Sequence, residues 1–189
     1  MKRLFNDSRI VYWYLLSVML LLVSCTHQKD TIKSDIEKLQ SRKICIPLDS
    51  MLCYNSSVGT ASGLDSCKYK LIIYTDNISC SSCSLYNIFD WDSFIEPLRS
   101  TVDFIFILSP NDNDMEKVKQ ILMSEKINHT IYIDTCAVFI RNNPQIPDKS
   151  FMHTFLLNDK DSVVLVGNPQ SNSRIKELFM KIIKNKQCK

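Results

Sequence analysis

Apolar and polar positions along this chain switch between two spacings, and the switches mark its elements. Leu71-Ile72-Ile73-Tyr74 is a short unbroken apolar run rich in β-branched and aromatic residues, the pattern of a strand covered on both faces. From Leu85 the spacing changes: Leu85, Ile88, Phe89, Trp91, Phe94, Ile95 and Leu98 recur mostly every three or four residues. That spacing predicts a helix with one apolar face, kinked or ended by Pro97. Val102 to Leu108 predicts a second strand, and Ser109-Pro110-Asn111-Asp112 breaks it. Asn113 and Glu116 then stand at capping-box spacing ahead of a helix through Met115, Val118, Ile121 and Leu122. His129 to Asp134 predicts a third strand, followed by a short apolar segment at Ala137 to Ile140 and a loop at Asn143 to Pro147. His153 to Leu157 and Ser162 to Val166 flank a polar tip and predict a β-hairpin. Ile175, Leu178, Phe179, Ile182 and Ile183 mark the apolar face of a closing helix. The predicted order is β-α-β-α-β, a turn, then β-β-α, with no internal repeat.

The N-terminus belongs to a different pattern. Lys2, Arg3 and Arg9 precede a nearly unbroken apolar run from Ile10 to Val23. As a helix rising about 1.5 Å per residue the run spans roughly 21 Å, short of a bilayer core of about 30 Å. Residues 1–24 therefore read as a secretory signal rather than a membrane span. Leu22-Val23-Ser24-Cys25 resembles the lipobox of bacterial lipoproteins, and the resemblance implies that Cys25 is acylated and anchors the mature chain. An uncleaved anchor helix is the alternative. Both place the folded part outside the cytoplasm, in the cell envelope. Residues 25–67 then form the lipidated N-terminus, a polar stalk over 26–42 with a helical pattern at Ile32, Ile36 and Leu39, and an extension with a short strand and a loop; the main domain is 68–189. At 45% hydrophobic and 23% charged the composition is that of a globular protein. Three glycines and no Gly-rich motif leave no phosphate loop. A formal charge of +3, falling to near +1 without the leader, points to no nucleic-acid or polyanion partner.

Eight cysteines sharpen the picture. With Cys25 assigned to lipid, an odd number remains, so at least one thiol is free or bonded between molecules. An exported compartment permits disulfides, and one bridge among Cys45, Cys53 and Cys67 fits their clustering. Cys136 reads as a small buried hydrophobe, with a resolving thiol as the alternative. The chemistry gathers at Cys80-Ser81-Ser82-Cys83, which opens the first predicted helix. Unpaired amides and the macrodipole at a helix N-terminus stabilise a thiolate, so Cys80 is expected to ionise more readily than Cys83. Cys80 is the expected nucleophile toward a substrate disulfide, and Cys83, one turn on, the resolving thiol. A static structural disulfide and half of a metal site are the competing readings. Zinc would need a second Cys/His pair at ligand spacing, which His27, His129 and His153 do not supply, so no metal or cofactor is expected. Asp76, just before the pair, suits either a base near Cys83 or a turn former.

Strand, Cys-x-x-Cys, helix, strand, helix, strand and a terminal hairpin plus helix resemble the thioredoxin-like fold over roughly residues 68–186. Within it the chain is similar to exported redoxins of the TlpA/ResA kind. It is most similar to small thioredoxin-like lipoproteins of Bacteroidetes, through His153-Thr154-Phe155-Leu156-Leu157 and the hairpin end Val166-Gly167-Asn168-Pro169. The resemblance implies an α/β fold, three layers α/β/α around a mixed sheet. It implies a membrane-anchored thiol-disulfide oxidoreductase acting on thiols and disulfides of exported proteins, with a membrane electron donor. It also puts His153 on the loop facing the cysteines, as an aid to proton transfer or as an incidental strand-edge residue. Ser79, Ser81 and Ser82 stand where the thioredoxin motif has Trp and Gly-Pro, and Met152 stands where its proline faces the cysteines, with Pro147 the nearest. The peroxiredoxin pattern Pro-x-x-x-Thr-x-x-Cys is broken by Ile73 and Asn77. The alternative function is a non-catalytic accessory lipoprotein whose Cys80–Cys83 bond is structural.

Overall fold

The two longest apolar runs pair in parallel at the centre of the sheet. In a computed structural model that describes residues 12–14, 17, 30–54, 69–125 and 127–186, β2 (Tyr69–Thr75) lies beside β3 (Val102–Leu108), with Tyr69 opposite Val102 and Thr75 opposite Leu108. Parallel neighbours need a crossover, and the segment between them supplies it. That segment is not the single helix its periodicity predicts. It runs as α2 (Ser81–Ile88), a 3-10 turn at Phe89–Trp91, α3 (Asp92–Ile95) and a second 3-10 turn at Glu96–Leu98. Ile88, Trp91 and Phe94 are all buried and three apart, a spacing that a tightened turn of about three residues brings into line. Pro97 falls in the last 3-10 turn, near its start, where a missing N–H is tolerated.

The helix α4 (Asp112–Ser124) is capped by Asn111, whose side-chain oxygen accepts from the Asp114 N–H at 2.9 Å. The expected cap at Asn113 is thus two positions late: Asn111 has the extended backbone that a cap needs, and Asn113 is already helical. Strand β4 is only Ile131–Ile133, parallel to β3. Asp134, predicted at its end, instead accepts from the amides of Val138 and Phe139 at 2.9 and 2.8 Å and opens α5 (Val138–Asn142). Strands β5 (Thr154–Leu157) and β6 (Val163–Val166) form the hairpin, and β5 runs antiparallel to β2. Strand β1 (Leu52–Tyr54) adds antiparallel to β4 at the far edge, and α6 (Ser173–Lys186) closes the chain. The sheet order is β1-β4-β3-β2-β5-β6.

Alternation along the strands divides the core in two. Leu71, Phe106, Ile131 and Leu156 face α2, α3, α4 and α6, meeting Leu85, Trp91, Val118 and Phe179. Ile72, Ile107, Tyr132 and Phe155 face the other way, toward Phe139 of α5 and toward Leu39, Ile44 and Met51. Helices on both faces of a mixed six-stranded sheet make this a three-layer α/β/α, thioredoxin-like fold. On α6 it is Phe179 and Ile183 that turn inward; Leu178, expected on the same face, is 45% exposed.

The chain divides into Met1–Lys38 and Leu39–Lys189. A helix, α1, covers residues 30–40, and Lys33 and Glu37 pair along it at 3.9 Å. Most of the apolar leader, together with Cys25 and His27, lies outside the described residues. Among the described residues no helix is long and apolar enough to cross a membrane. In the larger unit, fully buried Asn143 ties the N-terminal segment to α5: it exchanges hydrogen bonds with the Cys45 N–H and carbonyl, both at 2.8 Å, and donates to the Phe139 carbonyl. Cys45 and Cys53 are exposed free thiols, so the expected bridge does not join them; Cys67 lies outside the described residues.

Candidate redox site

The turn between β2 and α2 is built by one carboxylate. Asp76 Oδ1 accepts from the amides of Ile78 at 3.2 Å and Ser79 at 2.7 Å, an Asx turn that reverses the chain out of the sheet. Of its two expected roles, the turn is the one its hydrogen bonds serve. Cys80 then stands in the N-cap position of α2. Its carbonyl accepts from the Ser84 N–H at 3.0 Å, and its Sγ accepts from the Cys83 N–H at 3.1 Å, where a capping oxygen usually sits. Cys80 and Cys83 are joined as a disulfide, and both are exposed. The Ser82 hydroxyl is 3.5 Å from Cys80 Sγ. Ser81 and Ser82 are buried, and Ser81 Oγ has no hydrogen-bond partner among the described residues.

A second carboxylate reaches the same helix end from α4. Asp114 Oδ2 accepts from the Ser82 N–H at 2.9 Å. Burial alone would push the Asp114 carboxyl up, but hydrogen bonds from Ser82 and Ser81 hold it below the usual carboxylate range. Asn111 reinforces the junction by donating from Nδ2 to the Asn77 carbonyl at 3.1 Å. Asp114 carries no motif of its own. Its only signal in the sequence is an acid in the first turn of a helix that starts at the C-terminal end of a neighbouring parallel strand.

His153 lies at the end of the 3-10 turn Ser150–Met152, and its carbonyl accepts from the Tyr74 N–H at 3.0 Å. Its ring is buried, with Nε2 2.8 Å from the Pro147 carbonyl and Nδ1 3.6 Å from Asp76 Oδ2. The structure thus joins His153 to the turn that precedes the cysteines. The Tyr74 ring packs against it, tilted, at 5.2 Å between centroids, and burial pushes that phenol up. No peptide bond among the described residues is cis. Beside the turn lies a pocket of about 370 Å³ with an apolar floor that includes Ile73, Ile88 and Trp91. Its polar lining includes Ser79, Ser84, Asn87, Asp90, Asn168 and Gln170, and among the described residues no Lys or Arg lines it.

Cys136 is exposed rather than buried, because Ala137 takes a left-handed conformation (φ 51°) while Asp134 turns inward to start α5, which leaves the intervening loop on the surface. His129 stands elsewhere, against Phe106, with Nε2 2.5 Å from Asp92 Oδ1; burial pushes its imidazole below the ordinary value despite that carboxylate. Cys188 lies outside the described residues.

The chain thus has a thioredoxin-like fold with a Cys80–Cys83 disulfide at the head of α2. No family model matches the chain. No curated protein matches it either. Among solved structures it is similar to a thioredoxin-like protein in its oxidised form, at 14% identity and a TM-score of 0.49 over 74% of this chain and 97% of the other. An uncharacterised thioredoxin-like protein from Porphyromonas gingivalis matches at 16% identity and 0.44, over 67% and 80%. A peroxiredoxin Q from Xanthomonas campestris matches at 12% and 0.47, over 77% and 99%.

Proposed function

We propose that this protein is an envelope thiol-disulfide oxidoreductase, anchored through a lipid on Cys25, with Cys80 as nucleophile and Cys83 as resolving thiol. The observation that carries the reading is the exposed Cys80–Cys83 disulfide at the N-cap of α2, with the Cys83 N–H already directed at Cys80 Sγ. In the dithiol form that amide would stabilise a Cys80 thiolate. Attack on a substrate disulfide forms a mixed disulfide and releases one substrate thiolate. Attack of Cys83 on Cys80 Sγ then releases the second, and two electrons have passed to the substrate. A dithiol donor must restore the pair, which is the place of a membrane electron donor. A lining of amides, hydroxyls and the Asp90 carboxylate, with no Lys or Arg among the described residues, suits a polypeptide segment better than a small polyanionic thiol. His153 stands at one remove from the cysteines, beside the Asp76 carboxylate that shapes the turn. Reduction of insulin disulfides by the protein and by Cys80→Ser tests the reading: activity lost in the variant supports it, and equal residual rates would remove the enzymatic assignment in favour of an accessory protein with a fixed disulfide.

A further inference from the structure

The head of α2 divides its free amides between two acceptors. Cys80 Sγ takes the Cys83 N–H and Asp114 takes the Ser82 N–H, so the two amides a capping group normally uses are shared by a sulfur and a carboxylate. The Ser82 hydroxyl lies 3.5 Å from Cys80 Sγ, on the same residue whose amide Asp114 holds. In the disulfide form only Asp114 is charged and the arrangement is satisfied. After reduction, a Cys80 thiolate would share one helix end with a carboxylate already seated there. Lys117 is the cation that acts on Asp114, and it is exposed.

We propose that Asp114 is a positioning residue that disfavours the Cys80 thiolate and so biases the pair toward disulfide, making it a donor of electrons rather than an oxidant. This rests on the oxidoreductase reading and assigns a residue to the direction of transfer written there. A pair whose thiolate is stabilised is oxidising because its reduced form is favoured; a carboxylate at the same helix end works against that. Asn at 114 would keep an acceptor for the Ser82 N–H and remove the charge. The test equilibrates the full-length protein in detergent with glutathione buffers, in which the disulfide and two glutathiones give the dithiol and one glutathione disulfide. Thiol trapping, with Cys80 and Cys83 read by peptide mass, gives the equilibrium constant. Asp114→Asn is expected to move that constant toward the dithiol about three- to tenfold, the upper end being about 30 mV. Alkylation of Cys80 should also extend to lower pH. Asp114→Ser, neutral but shorter, should move both readouts the same way, because the charge and not the packing is responsible. Constants within twofold of wild type in both variants, or moved toward disulfide, would overturn the role of Asp114 alone. A wild-type pair that exchanges with no glutathione buffer would overturn the oxidoreductase reading and this one with it.

Discussion

Cys80 occupies a position that Ser, Thr, Asp or Asn fills at most helix starts, and its sulfur does their work by accepting an amide proton. That much follows from a Cys-x-x-Cys pair placed after a buried strand, and it was legible in the residues alone. Ser81 is a neighbour of another kind. Its buried hydroxyl has no hydrogen bond among the described residues, so Ser81→Ala should be neutral or stabilising by up to about 1 kcal/mol in urea unfolding, with no change in the pair's redox equilibrium. A loss of stability would mean that the hydroxyl is satisfied. His129 gives a pH dependence. Burial sets its folded imidazole below the ordinary value near 6.5, so the unfolded chain binds the extra proton first. Its contribution is therefore present above about pH 6.5 and lost as pH falls below that value. The urea midpoint should drop between pH 7.5 and 5.5, and drop less in His129→Gln. Neither Asp114 nor the Asp76–His153 pairing was legible beforehand, because each joins residues that only the closed sheet brings together.

At the scale of elements, apolar runs marked the strands well, since a buried strand must be continuously apolar. Helix boundaries were less legible. The break after Ile88 and the early start of α4 depend on local side-chain acceptors and on tightened turns, which the apolar spacing does not distinguish. Polar tips were marked as turns but not by what they hold. At the hairpin, Asp161 has φ 59° and its carboxylate meets the buried Lys70 Nζ of β2 at 2.7 Å. Asn tolerates that backbone, so Asp161→Asn isolates the charge. The substitution leaves Lys70 unpaired in the sheet and should cost about 1–2 kcal/mol, less than a wholly buried pair because Asp161 is partly exposed. An unchanged urea midpoint would show that the ammonium is solvated without its partner.

For the whole molecule, two cores on opposite faces of one sheet were implied by the element order and are present. Less legible was how far the N-terminal segment takes part. Leu39, Ile44 and Met51 are buried in the second core, and Asn143 binds the Cys45 backbone, yet Ile44 and Met51 belong to short apolar pieces without periodicity, and Leu39 ends a helical pattern in a polar stretch. The lipid anchor makes a separate prediction: Cys25→Ser should release the protein from the membrane fraction without altering the redox equilibrium, and retention would point to an uncleaved helix. The central claim is that Cys80 and Cys83 form a working couple on this fold. A redox titration of the native protein with thiol trapping at Cys80 and Cys83 addresses it most directly. Reversible two-electron exchange is expected while the chain remains folded by circular dichroism; a disulfide reducible only in denaturant would rule out a working couple.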